Sequence, residues 1–296
     1  MERREFLIGL TGVILTTTAK ISAGESTTYK LWDSLSERAE IEKLAQLERE
    51  KYLNGPATHL PGYSNILEGY QIHRIVIDPG HGGHDLGASG TSEIYEKDLN
   101  LSIAQKLQKQ FSKAKGVEVF LTRETDYYLT LTERTTIANQ FESDLFISLH
   151  INASSRPDPK GCETYYCSES ASDAEAARVA EFENSVLTEN EIAGDPNFFD
   201  PDKQLDRLAI KYNWVTSSKI AAKTQNGLVS NIFGSKNRGV KFANFAVLRT
   251  AKMPAILIEC GFISNPDEIN NLIKPEYQTK IAEGIYNGVQ EIAGWI

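Results

Sequence analysis

Residues 75–90 read IVIDPGHGGHDLGASG. Three apolar residues and an aspartate run straight into a loop holding five glycines and two histidines. That is the pattern of a buried strand delivering side chains to a site at its carboxyl end. Glycines on both sides of His81 let the loop take positive φ and let a metal or ligand come close to the backbone, which makes His81 the first candidate ligand. The same motif also fits an ordinary loop, so its meaning rests on partners elsewhere in the chain.

Outward from this stretch, strands and helices alternate. The periodicity predicts strands near 72–78, 117–122, 145–150, 162–167 and 255–259. It predicts helices near 96–113, 131–142, 217–232 and 275–292. Such alternation implies an α/β fold, a mostly parallel central sheet flanked by helices forming a single catalytic domain over 71–296. Ligand sites in these sheets gather at the carboxyl ends of strands. His81, His150 and Glu259 all fall at or just past such ends.

The 296 residues carry 41% hydrophobic side chains and a net charge of −9, enough apolar content for a substantial core and the wrong sign for broad attraction to nucleic acid or anionic lipid. The acidity is local. Residues 168–207 hold eleven acidic and three basic side chains, leaving the remainder close to neutral. Residues 1–23 combine charged residues, an apolar run and small residues, as export signals do. The segment from Arg3 to Leu7 (RREFL) has the form of a twin-arginine signal, against the plainer alternatives of a general secretory signal or an uncleaved anchor. Cleavage after Ala23 and a periplasmic location follow from that reading. Residues 24–70 read as an exposed helix and a Gly/Pro-punctuated linker. Cys162 and Cys167, five apart in a strand, point to opposite faces, and with Cys260 they give no disulfide framework.

A catalytic zinc site takes three protein ligands from histidine and carboxylate and leaves one position open. His81, Glu96 and His150 meet that requirement, with Glu96 at the start of an amphipathic helix. Glu259 ends the run MPAILIE, where five apolar residues lead into a carboxylate. Burying that charge is costly unless it is paired, with Arg123 or Arg134 as partner, or works on a water beside the metal. Zinc is favoured over manganese or iron for this donor set. His59, His73 and His84 end no buried strand and are read as non-ligands.

Several blocks in order, IVIDPGHGGHDLGASG, EKDLNLSIAQKL, LTRETD, LTERTTIAN, DLFISLHINAS, GCETYY and RGVKFANFAVLRTAKMPAILIECGFISNPDE, resemble the zinc-dependent N-acetylmuramoyl-L-alanine amidases, cell-wall amidases of the division type. The resemblance covers about 72–292. It implies one Zn2+ ion on His81, Glu96 and His150, with Glu259 as the catalytic glutamate. The implied reaction is cleavage in peptidoglycan of the amide between N-acetylmuramic acid and L-alanine, in wall remodelling and daughter-cell separation. Arg134 and Asn139 match family positions and read as structural first, with substrate contact as the alternative. The roughly fifty residues after the signal are too few for the β-rich wall-binding module many exported relatives carry.

Residues 168–207 are extra compared with the shortest such amidases. Within them ASDAEAARVAEFENSVL reads as a helix placing Ala176, Val179, Ala180 and Leu187 on one face, with Glu183 at its centre. A carboxylate is out of place there. Some division amidases hold an inhibitory helix over the active site until an activator removes it, which implies Glu183 as a plug on the metal and a LytM-domain type activator as partner. Phe198 and Phe199 are expected to offer that activator an apolar contact. Two other readings are a non-catalytic peptidoglycan or zinc binder, and a zinc peptidase cutting within the stem peptide.

Overall fold

The computed structural model describes residues 70–90, 93–187, 204–232, 234–293 and 295. The expected export signal, the exposed helix and linker before residue 70, His59, and the aromatic pair Phe198 and Phe199 lie outside the described residues.

The elements run β1 (Arg74–Pro79), α1 (Glu96–Phe111), β2 (Glu118–Leu121), α2 (Leu131–Gln140), β3 (Leu145–Asn152), β4 (Cys162–Cys167) and α3 (Ala174–Asn184). There follow α4 (Gln204–Asn231), β5 (Asn237–Ala243), α5 (Ala246–Arg249), β6 (Ala255–Phe262), α6 (Pro266–Leu272) and α7 (Pro275–Ala293). Six strands form one sheet in the order β2-β1-β3-β6-β4-β5. Strands β2, β1, β3 and β6 are mutually parallel, while β4 runs antiparallel to β6 and parallel to β5. The expected mostly parallel sheet flanked by helices is what the chain forms.

Period-2 alternation divides the central strands between two layers. Ile75, Ile77, Leu145, Ile147, Leu149, Ile151, Ile256 and Ile258 join one core with the apolar residues of α1, α4 and α7. Val76, Phe146, Tyr165 and Leu257 join a second core with residues of α2, α3 and α5. All eight residues of β3 and of β6 are buried, as both-face coverage of a parallel sheet requires. Counting in twos from the second core, Asp78, His150 and Glu259 come out on its face, at the carboxyl ends of β1, β3 and β6. Helix α3 lies on that same face.

Three expectations need correction. Helix α4 starts at Gln204, not near 217. The acidic composition obscured the helical spacing there, so residues 204–207 of the presumed insert belong to α4. Strand β5 was not foreseen, because Gly239 at φ 84 and two cations interrupt its alternation; it is the sheet edge, where lysine is a common guard against pairing. Leu187 lies beyond α3, which ends at Asn184, so the buried face of the helix is Ala176, Val179, Ala180 and Glu183. Cys162 and Cys167 do point into different cores, and all three cysteines are free.

Candidate metal centre and active site

The loop after β1 is shaped by two buried arginines. Arg123 donates to the carbonyls of Pro79 and Gly80, each at 3.0 Å. Arg134 donates to Asp78 Oδ1 at 2.8 Å and to the carbonyls of Pro79 and His81 at 2.9 Å. These bonds hold His81 at φ 61, a left-handed conformation uncommon for a non-glycine residue and kept only where the surroundings impose it. Asp85 Oδ2 lies 2.9 Å from His81 Nδ1. A carboxylate there fixes the proton on Nδ1 and turns the Nε2 lone pair inward.

His150 comes from β3 and packs close against Gly80, where a Cβ would stand 2.3 Å from its Cε1. Only glycine fits at that position. Glu96 opens α1 and sends its carboxylate between the two imidazoles, Oε2 3.2 Å from His81 Nε2 and Oε1 3.1 Å from His150 Nδ1. Its orientation is fixed by the amide N–H groups of Ala88 and Ile151, at 2.9 and 3.0 Å, and by Asn100. Glu183 enters from α3, with Oε2 3.0 Å from His150 Nδ1 and 3.5 Å from His81 Nε2. Ligand atoms of His81, Glu96, His150 and Glu183 all lie within 4.8 Å of one another. His81 Nε2 is buried without a hydrogen-bond partner, the state of a nitrogen meant for a cation. Donor chemistry and geometry therefore fit a metal ion.

The electrostatics carry the same message. Burial disfavours both imidazolium ions, yet the Glu96 and Glu183 carboxylates push His81 up to about 10 and His150 well above its ordinary value. Burial likewise opposes ionisation of Glu96, but the two histidines hold its carboxyl well below the usual range. The cluster thus concentrates negative charge that calls for a cation, supplied by protons when no metal is bound.

Glu259 ends up beside this cluster because β3 and β6 pair with His150 opposite it. It is fully buried, and neither carboxylate oxygen has a hydrogen-bond partner. Burial first, then the Glu183 charge, raise its carboxyl well above the ordinary value. The alternative of an ion pair with Arg123 or Arg134 is not what forms: Arg123 binds backbone carbonyls, and Arg134 pairs with Asp78. The contrast with Glu163, its register neighbour on β4, is instructive. Glu163 is equally buried but accepts bonds from Asn152, Tyr165 and Arg238, with Lys241 Nζ also 3.0 Å away. One buried carboxylate is fully satisfied, and the one next to the histidines is not.

Arg134 is tied to Asp78 and to the loop after β1. Asn139 lies away from the cluster, joining α2 to the segment before β6 through Thr250 O and Lys252 N. His84 packs against Tyr128, and His73 is exposed, bonding Gln71.

A family profile described as N-acetylmuramoyl-L-alanine amidase matches residues 75–291. The chain belongs to that family. Among relatives, this amidase is 32% identical over 219 residues to the probable N-acetylmuramoyl-L-alanine amidase AmiB of Haemophilus influenzae, covering 73% of the present chain and 51% of that one. The amidase therefore spans about half the length of that relative. Among solved structures, it is similar to the N-acetylmuramoyl-L-alanine amidase of Clostridium difficile 630, with a TM-score of 0.56 at 33% identity, over 75% of this chain and 96% of that one. It is also similar to the CwlD amidase of Clostridioides difficile, solved in complex with the GerS lipoprotein, with a TM-score of 0.56 at 28% identity and 75% and 98% coverage. Among its described residues no helix is long and apolar enough to cross a membrane.

Sequence reasoning overlooked Asp85, Gly80, Glu163 and the cation pair Arg238 and Lys241. Asp85 stands four residues after His81 in a loop, where no periodicity applies. Glu163 follows a cysteine in a strand the sequence could not orient.

Proposed function

We propose that this amidase is a zinc enzyme, exported to the periplasm through the twin-arginine route, that cleaves the amide between N-acetylmuramic acid and L-alanine during wall remodelling and daughter-cell separation. The observation that carries the reading is the unpaired, buried Glu259 carboxylate standing beside two histidines and a glutamate whose ligand atoms converge on one point. His81, Glu96 and His150 would hold the ion. When bound, zinc supplies a Lewis acid that polarises the carbonyl and acidifies water.

Glu259 is the acid–base group. Its oxygens, free of other partners, take a proton from the attacking water and return one to the leaving nitrogen of L-alanine. The layers around β3 and β6 keep bulk water from that carboxylate. Asp85 and the backbone amides on Glu96 keep the ligands in place.

Glu183 is the plug. Its carboxylate fills the fourth position of the cluster, and its charge is, after burial, the main cause that raises the Glu259 carboxyl above its ordinary value. Withdrawal of α3 would open the cluster and let Glu259 ionise together. A partner protein of the LytM-domain type is the proposed agent of withdrawal, and the complex of the CwlD amidase with a lipoprotein supports partner control in this family. In this reading 1–23 is the signal, 24–70 a linker and 168–207 the regulatory segment, of which 204–207 belong to α4.

The test is mass spectrometry of soluble products after purified peptidoglycan is incubated with the zinc-loaded protein, parent and Glu183→Ala. A charge-assisted contact of roughly 1.5–3 kcal/mol predicts a 10- to 150-fold rise in release of stem peptides beginning at L-alanine. Equal release from both proteins would discard the plug and keep the amidase. Products cut inside the stem would move the protein to the peptidases.

A further inference from the structure

Helix α3 presents a second carboxylate to a second set of cations, and this set is not part of the metal cluster. Glu175, in the first turn of α3, pairs with Arg238 Nη2 and lies 3.0 Å from Lys241 Nζ. Asp173, which caps the same helix, is 3.7 Å from Lys241. Beneath them, Glu163 Oε2 already takes both Arg238 Nε and Lys241 Nζ at 3.0 Å, while Glu163 Oε1 is occupied by Asn152 and Tyr165.

Two cations share one resident carboxylate of the sheet, and the further carboxylates beside them, Glu175 and the capping Asp173, both come with α3. With the helix withdrawn, Arg238, Lys241 and Glu163 keep a net charge of +1, newly exposed to solvent. Both cations also have holds on the sheet that do not involve α3. Arg238 stacks over the Phe262 ring, 4.9 Å from its centroid, and both remain tied to Glu163. Because Glu163 is the register partner of Glu259, this pocket of charge lies on the active-site face, toward the sheet edge. Glu175 and Glu183 are eight residues apart on one helix, which sets their backbones ~12 Å apart. An extended peptide covers that span in three to four residues at ~3.3–3.6 Å each.

We propose that Arg238 and Lys241 form a subsite for a carboxylate of the stem peptide, on its third residue, and that α3 mimics the substrate by offering Glu183 at the metal cluster and Glu175 at this subsite. The proposal rests on the amidase and plug readings above. It adds a specificity determinant: a stem with free carboxylates is bound, and one with amidated carboxylates is bound weakly.

The test uses the full chain, zinc-loaded, with both helix carboxylates removed (Glu175→Ala, Glu183→Ala). Two probes are N-acetylmuramoyl-L-alanyl-γ-D-glutamyl-meso-diaminopimelate and the same molecule with its stem carboxylates amidated. Calorimetry gives Kd for each, and product analysis gives KM and kcat. The acidic probe is expected to bind roughly tenfold tighter or more, the worth of a charge-assisted contact, with the difference carried by KM while kcat stays within about twofold. Adding Lys241→Gln or Arg238→Gln should erase the preference while circular dichroism shows an intact fold. Equal Kd for both probes, which needs no change in the sheet, would overturn the subsite. So would a preference that survives both substitutions. Cleavage of both probes without preference sinks the subsite alone, whereas preference without cleavage at L-alanine keeps the subsite and sinks the amidase reading.

Discussion

Substituting Gly80 by alanine tests whether His150 is a metal ligand without touching any ligand. The new Cβ would stand 2.3 Å from His150 Cε1 and 2.4 Å from Nε2. The imidazole must retreat by about 1 Å to regain carbon–carbon contact distances. His150 Nδ1 is now 3.1 and 3.0 Å from the Glu96 and Glu183 oxygens, and a zinc–nitrogen bond of roughly 2.0–2.1 Å has no slack to absorb such a shift. Changes that disturb ligand orientation weaken metal binding about 10- to 100-fold. Here a ligand itself is displaced, so about 100-fold is expected, or ~2.8 kcal/mol. Overpacking should also lower the stability of the metal-free protein by about 1–3 kcal/mol. Zinc affinity is read by competition against a chelator of known affinity, with circular dichroism confirming the fold. Affinity within about threefold of the parent would refute His150 as a ligand.

Glu259→Gln removes a buried, unpartnered carboxylate, so stability should hold or rise in urea unfolding, zinc should still bind, and hydrolysis should fall roughly 10²- to 10⁴-fold. Arg134→Met strips Asp78 of its buried partner and should cost about 3–5 kcal/mol, with KM of the folded enzyme unchanged; a raised KM at full stability would point to substrate contact instead. Although burial opposes it, Arg134 and Thr122 hold the Asp78 carboxyl below its ordinary value. That contribution is present above pH ~4 and lost as the pH falls, and the acid limb of stability should shrink in the same variant. His81 has the opposite sign. Its folded value of about 10 exceeds the unfolded one, so the metal-free protein should lose stability as pH rises from ~6.5 toward 10. Zinc uptake at pH 7 should release protons, seen as a dependence of calorimetric heat on the buffer; heat independent of buffer would contradict the assigned protonation.

The sequence by itself determined five of the six strands and what stands at their ends. A run such as LFISLHIN, short and rich in β-formers, reads as a strand buried on both sides, and a period of two then puts His150 on the same face as Phe146. Glu96 at a helix start and Glu183 inside an apolar helix face are legible for the same reason: burial leaves a period, and a charged residue that breaks it stands out. What no period records is which strands become neighbours. Pairing of β3 with β6 puts Glu259 beside His150, and antiparallel insertion of β4 on the other side of β6 puts Glu163 next to Glu259; each juxtaposition joins segments far apart in the chain. Loop positions were hidden too, since Asp85 finds His81, and Gly80 makes room for His150, only after the Arg123 and Arg134 bonds have folded the backbone between them. Local chemistry and burial are written along the chain, whereas charge pairing is a property of distances across it, and those are set when the sheet order is chosen.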